Sequence, residues 1–223
     1  MSAQSQTIAV IGGAGAEGSG LAVRWAHAGH RVIISSRTVS RAEAAAAELN
    51  AELGGGSIAG MGNAEAAAAA DIVVLAVPYA AQSDTALGLA DVLNGKILID
   101  VTAPLKPPKV SLVQLPPEGS AVLALQMRLG GGVRVVSAFQ NISALHLRNL
   151  SHKMDCDVLV CSDDAEAANI AIGLAGDAGM KAWHAGPLAN SAASEALTSV
   201  LIALNRRYKV PGTGIRITGI EPA

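Results

Sequence analysis

The stretch IAVIGGAGAEGSG, Ile8–Gly20, narrows the possible folds of this chain more than any other feature. Four apolar residues run into paired glycines, and a helix-compatible segment follows directly. Within it lies Gly13-x-Gly15-x-x-Gly18, the spacing of a dinucleotide-binding turn. A lone match to that pattern is weak, but here it closes a strand and opens a helix, the context the physics requires. Gly13 is expected to permit the tight turn, Gly15 to let a pyrophosphate approach the backbone, and Gly18 to let the helix pack on the sheet. The helix start then offers free N–H groups and positive potential to phosphates. Gly13, Ala14, Gly15, Ala16, Glu17 and Gly18 form the candidate cradle.

The rest of the chain repeats this alternation. Strands are expected at TIAVI, RVIIS, SIAGM, DIVVLAV, GKILIDV and VRVVSAF, and helices at 16–28, 40–53, 64–70, 79–93 and up to about 128. Nearly continuous apolar strands between helices mark a parallel sheet buried on both faces. The predicted fold is therefore α/β, a Rossmann-type doubly wound parallel sheet. Proline-rich breaks fall at 103–110 and 115–120. After residue 140 the texture changes to a strand (CDVLVC), a helix over 163–178, a strand (KAWHAG), a long helix over 188–208 and a last strand (GIRITGI). This predicts a dinucleotide-binding Rossmann domain over 1–140 and a smaller C-terminal α/β domain over 141–223.

Composition excludes several function classes. Apolar residues make up 51% and charged residues 15%, as in a globular protein with deeply buried elements. The net charge of −2, without blocks of like charge, argues against a nucleic-acid or anionic-membrane surface. The longest apolar run, DIVVLAVPYAA, is about half of the ~20 residues a membrane span needs. The opening MSAQSQT has neither a basic patch nor an apolar signal core, so a cytoplasmic protein is expected. Cys156 and Cys161 have no redox or zinc spacing and read as buried thiols; no metal site is expected.

The end of the second strand identifies the nucleotide. An NAD site usually carries Asp or Glu there, roughly 20 residues past the loop, to bind the ribose 2′-hydroxyl. This chain has Ser35-Ser36-Arg37 instead, and no acid before Glu43. An arginine pairs with a 2′-phosphate that a carboxylate would repel. Ser40 and Glu43 have the spacing of a capping box, which sets Arg41 in the first turn of the next helix. A cation opposes the macrodipole there, so an anionic neighbour is its better explanation. Ser36, Arg37 and Arg41 are the candidate 2′-phosphate clamp, and NADP is the predicted cofactor.

With these residues in view, IAVIGGAGAEGSGLAVRWAHAGH, SSR, DIVVLAVPY, CDVLVCSDD and HAGPLANS together resemble the NADPH-dependent reductases of coenzyme F420, a deazaflavin. The likeness runs from residue 7 to about 220, and AGPLANS, Ala185–Ser191, is its most specific part. The resemblance implies a homodimer that moves a hydride between NADP(H) and the deazaflavin. It places Val77, Pro78, Tyr79 and Ala138 beside the ribose and nicotinamide, and Phe139, Gln140, Asn141, Ile142, Ser143, Pro187 and Leu188 around the acceptor. Archaeal members of the family carry threonine at the position of Ala14, and histidine and proline where this chain has Gln140 and Ser143. FQNISA is thus a pocket segment re-lined with amides.

No catalytic side chain is required by such a reaction, because the cofactor carries the chemistry and the fold supplies alignment. Ser191 and Ser194 have no evident triad partner, and the histidines are scattered. Lys106 and Lys109 read as solvated loop residues, and Trp25 and Trp183 as packing residues. Two other readings stay open at this level: a reductase of a flavin or a small carbonyl or imine, and an NADP-sensing module without turnover.

Overall fold

The computed structural model describes residues 5–220. Its first half runs β1 (Thr7–Ile11), α1 (Ala16–His27), β2 (Arg31–Ser36), α2 (Val39–Glu52), β3 (Ile58–Gly62), α3 (Asn63–Ala69), β4 (Ile72–Leu75), α4 (Tyr79–Leu87), α5 (Ala90–Leu93) and β5 (Ile97–Asp100). It continues through α6 (Ala121–Leu129), β6 (Arg134–Ser137), α7 (Ala144–Leu147), β7 (Asp157–Val160), α8 (Ala165–Asp177), β8 (Lys181–His184), a 3-10 turn at Leu188–Asn190 and α9 (Ser191–Tyr208).

Six parallel strands pair in the order β3-β2-β1-β4-β5-β6. The order reverses between β1 and β4, and the carboxyl ends at such a switch point open the crevice where ligands bind in this fold. The strands are apolar throughout because both faces are covered. Ile8, Val10, Val32, Ile34, Ile72, Val74, Ile97, Ile99 and Val136 face α1 and α8. The alternate residues Ala9, Ile11, Ile33, Val73, Leu75, Leu98 and Val135 face α3, α5 and α6. The period of two in side-chain direction assigns each residue to its face. Each large side chain fully buried in this way stabilises the fold by roughly 1.5–3 kcal/mol.

The C-terminal strands β7 and β8 form their own parallel pair. An antiparallel bridge joins that pair to the end of β6: Ser137 N–H donates to Cys161 O at 2.9 Å, and Cys161 N–H returns to Ser137 O at 3.0 Å. The core continues across the change in texture near residue 140. Ala167, Ala171, Leu174 and Ala175 of α8 lie in the same cluster as Leu21, Ala22 and Trp25 of α1. Trp25 Nε1 donates to Leu174 O at 2.8 Å, and its ring meets Phe139 edge-on, with centroids 5.9 Å apart. Arg24, 6% exposed, holds α7 and the loop after it by donating to the carbonyls of His146, Leu147, Asn149 and His152, and reaches the end of α8 at the Ala178 carbonyl.

Three local expectations change. GIRITGI forms no strand. Asp157 N–H donates to Ile215 O, but Ile217 N–H turns to the Asp157 carboxylate, which also accepts from Trp183 Nε1, so a side chain replaces the ladder. The helix expected over 79–93 breaks at Gly88-Leu89 into α4 and α5. Helix α2 starts at Val39 with Thr38 as its cap and no side-chain capping bond, so Ser40 and Glu43 form no box. The single turn α7 is too short to leave a periodic signal. Both cysteines are free and buried, and burial pushes the Cys161 thiol up to about 11.

Candidate cofactor and acceptor cleft

The glycine loop shows why each glycine is there. Gly12, rather than Gly13, takes the left-handed turn, with φ +83°, and a Cβ on it would run into the Ala76 carbonyl. A Cβ on Gly13 would lie 2.6 Å from Ile34 Cβ, so Gly13 answers to the neighbouring strand rather than to the turn. On Gly18 it would lie 2.9 Å from both Gly12 O and Gly13 Cα, which fixes how closely α1 meets the loop. Gly15 caps α1 with extended backbone and no side-chain bond. The first-turn N–H groups of α1 are thus left for a ligand. Ala14 and Ala16 keep the rim small, and Gly15, Ala16 and Glu17 form one wall of the cleft.

One strand away, Ile11 pairs with Ser35, which sets the end of β2 beside this loop. Ser36 Oγ accepts from Thr38 N–H at 3.4 Å. Arg37 and Arg41 are exposed, and neither forms an ion pair among the described residues. The first turn of α2 contains no acid. Two free guanidinium groups, a serine and an uncapped helix start fit a phosphate, and nothing here accepts from a 2′-hydroxyl as an Asp would.

The cleft has a volume of about 670 Å³. Besides the glycine loop it is walled by Ala76, Val77, Pro78, Tyr79 and Ala80 after β4 and by Val101, Thr102, Ala103 and Leu105 after β5. Gln140, Asn141, Ile142 and Ser143 follow β6, and Thr198, Leu201, Ile202 and Asn205 come from α9. Four of the residues expected beside the nicotinamide or the acceptor lie elsewhere. Ala138 and Phe139 are 0% and 1% exposed in the core, where the Phe139 ring packs on Trp25. Leu188 is fully buried on the opposite sheet face, with its N–H held by Asp163, and Pro187 lies on the surface outside the cleft. AGPLANS sets the entry of α9 rather than the cleft surface. The α9 contribution was not anticipated, since its only sequence mark is small and polar residues inside an apolar helix.

The lining after β6 is polar, and a buried acid, Asp100, lies behind it. Gln140 Nε2 donates to Asp100 O and Ser137 Oγ at 2.8 and 2.9 Å. Asn141 Nδ2 donates to Ser194 O at 2.7 Å and Thr198 Oγ1 at 3.2 Å. These bonds orient both amides and leave Gln140 Oε1 and Asn141 Oδ1 buried without a partner. The Asp100 carboxylate, fully buried at the end of β5, accepts from Gln82 Nε2 at 2.5 Å and Thr102 N–H at 2.8 Å. Burial raises Asp100 to about 6 despite these donors. Burial first, and then the charge of Asp100, pushes Glu17 up to about 8. Tyr79 is raised by burial and by the acids Glu195 and Glu118, and Lys106 Nζ lies 5.9 Å from its ring centroid.

A parallel sheet in this strand order, with a glycine-rich turn at its switch point and two free arginines after the second strand, defines a Rossmann-type dinucleotide-binding fold. Residues 7–104 match the model of a family described as NADP oxidoreductase, coenzyme F420-dependent. F420-dependent NADP reductase from Methanocaldococcus jannaschii is 40% identical over 222 residues, covering 96% of this chain and 99% of its own. The Methanothermobacter thermautotrophicus protein of the same name is 42% identical over 221 residues, covering 96% and 95%. A provisionally named F420-dependent NADP reductase from Arthrobacter sp. FB24 superposes with a TM-score of 0.81 at 25% identity, covering 96% of this chain and all of its own. The chain belongs to the coenzyme F420-dependent NADP oxidoreductase family.

Proposed function

We propose that this protein transfers a hydride between NADP(H) and the deazaflavin coenzyme F420. The observation that carries the reading is the pair of free arginines, Arg37 and Arg41, at the acid-free start of α2, one strand from the glycine loop and its cleft. The relatives' shared name, over nearly the whole chain, supports the acceptor.

In this reading residues 1–140 hold the nucleotide and residues 141–223 complete the acceptor side. The N–H groups of α1 and the Gly13–Gly18 loop bind the diphosphate, and Ser36, Arg37 and Arg41 bind the 2′-phosphate. Val77, Pro78 and Tyr79 border the ribose and nicotinamide. Gln140, Asn141, Ile142 and Ser143 line the acceptor end, and their anchored amides keep its shape constant. Bound NADP(H) supplies the hydride chemistry, while the protein aligns the two rings and excludes water. The protein acts in the cytoplasm as a homodimer. The exposed Val200, Leu204 and Tyr208, one helical turn apart on α9, support a subunit contact there.

The test is a purified-protein assay that follows loss of NADPH absorbance with the deazaflavin or with FMN as acceptor. Turnover with the deazaflavin is expected. Turnover with FMN alone would overturn the assignment of the acceptor.

A further inference from the structure

Two stretches of the chain contain no acid. Residues 101–117 carry Lys106 and Lys109, and residues 196–220 carry Arg206, Arg207, Lys209 and Arg216. The fold brings the two stretches together at one end of the cleft. Arg206 Nη1 donates to Ser111 Oγ at 3.1 Å, and Ser199 Oγ donates to Leu112 O at 3.3 Å. Leu105, Pro107 and Val110 of the first stretch and Asn205 of the second line the cleft. Their exposed neighbours Lys106, Lys109 and Arg206 therefore stand at its rim. Lys109 N–H donates to Lys106 O at 3.1 Å, closing a turn that keeps the two lysines close. Lys106 Nζ lies 5.9 Å from the ring centroid of Tyr79, which also lines the cleft.

This rim belongs to the same end as Ser143. Asn205 Oδ1 accepts from Thr213 N–H at 2.8 Å, and a Cβ on Gly212 would lie 2.7 Å from Ser143 Oγ. The 2′-phosphate does not account for the cations. β5, which leads into the first stretch, stands three strand spacings from β2, roughly 14 Å across the sheet. Protein groups do not account for them either. Arg216 answers Asp155 at 3.5 Å, and Arg207 and Lys209 sit at the negative end of α9. Lys106, Lys109 and Arg206 form no ion pair among the described residues, and Arg206 reaches Ser111 rather than the last carbonyls of its helix. Glu118, the next acid after the first stretch, is exposed and pairs with none of them.

We propose that Lys106, Lys109 and Arg206 dock an anionic chain, bearing phosphate or carboxylates, that trails from the acceptor whose ring enters the cleft. This rests on the hydride-transfer reading above. The ring meets the apolar and amide-lined wall, and the chain leaves toward solvent across the three cations. Each exposed contact is weak and screened by salt, so the chain is held by the sum of several charges. Contacts made far from the reacting ring are the same before and during hydride transfer. They lower KM and leave kcat unchanged.

The test is steady-state turnover with NADPH and three acceptors that share one deazaflavin ring. Their side chains are a neutral polyol, the same polyol ending in phosphate, and that phosphate extended by carboxylates. At low salt KM should fall about 10-fold from the first to the third, with kcat constant within about twofold. At about 1 M salt, where screening acts over about 3 Å, the three KM values should converge. The triple variant Lys106→Gln, Lys109→Gln, Arg206→Gln should lose the preference at low salt and keep the wild-type KM for NADPH and for the neutral acceptor. A preference that survives in the triple variant, or equal KM values in the wild type at low salt, overturns the proposal. Turnover with none of the three would overturn the acceptor reading and this proposal with it.

Discussion

The backbone N–H of Ala121 donates to Glu195 Oε2 at 2.7 Å, so a carboxylate on α9 caps α6 from 74 residues away. Val122 N–H and Ser120 Oγ donate to Oε1 at 3.1 and 2.7 Å, and Ser120 Oγ also meets Ser191 Oγ at 2.6 Å. Glu195 is 1% exposed, and burial raises its pKa despite three donors. Glu195→Ala strands these donors and should cost about 2–4 kcal/mol, read as a lower denaturation midpoint. Glu195→Gln, which keeps an acceptor, should cost less.

Arg24 offers a second stability test. Its guanidinium satisfies five backbone carbonyls and ties α1 to the loop that follows α7. Arg24→Met fills the same space and satisfies none of them. A loss of about 3 kcal/mol is expected, with faster amide exchange over residues 146–152 than over β1.

The nucleotide preference should move with Arg37. Arg37→Ala removes a charged donor from the candidate 2′-phosphate site while leaving the diphosphate cradle intact. NADPH affinity should fall about 10- to 100-fold and NADH affinity hardly at all. Equal losses for the two nucleotides, measured by fluorescence titration, would contradict the clamp.

Stability of the ligand-free protein should depend on pH in an unusual direction. Glu17 rises from 4.5 unfolded to about 8 folded, and Asp100 from 3.8 to about 6. The folded state therefore binds more protons than the unfolded state across these intervals, and stability falls as pH rises through them. The contribution is present in full below the unfolded values and gone above about 8. A net decline is expected between about pH 4 and 8, offset in part by carboxylates that are better ionised in the folded state. Glu17→Gln should flatten the upper half of that decline in chemical denaturation series.

The sheet was legible because its signals are local. A strand buried on both faces writes itself as an apolar run, and Gly12–Gly18 marks the turn within a few residues. The candidate role of Arg37 rests on a missing acid, which needs only the end of β2. The remainder depends on partners far apart in sequence. Nothing near Phe139 says that Trp25 will cover its ring, and nothing near Leu188 says that Asp163 will hold its N–H. GIRITGI has the alternation of a strand but meets a carboxylate where a ladder should continue. Thr198 and Asn205 could be placed in the cleft only once the packing of α9 against α6 and against the segment after β6 was known. Glu17 was visible in the loop, but its raised pKa comes first from burial and then from Asp100, 83 positions later.

The two-way bridge between Ser137 and Cys161, with the shared core of α1 and α8 behind it, has a thermodynamic consequence. It rivets the six-stranded sheet to the C-terminal part directly behind Gln140, whose Nε2 donates to Ser137 Oγ. The two walls of the cleft therefore do not swing as separate lobes. Ligands meet a mould already set, and little ordering entropy is spent at the moment of association. Adaptation to a different flat acceptor falls instead to side chains at the rim and to the proline-rich segment over 103–110, the parts that the rivet does not hold.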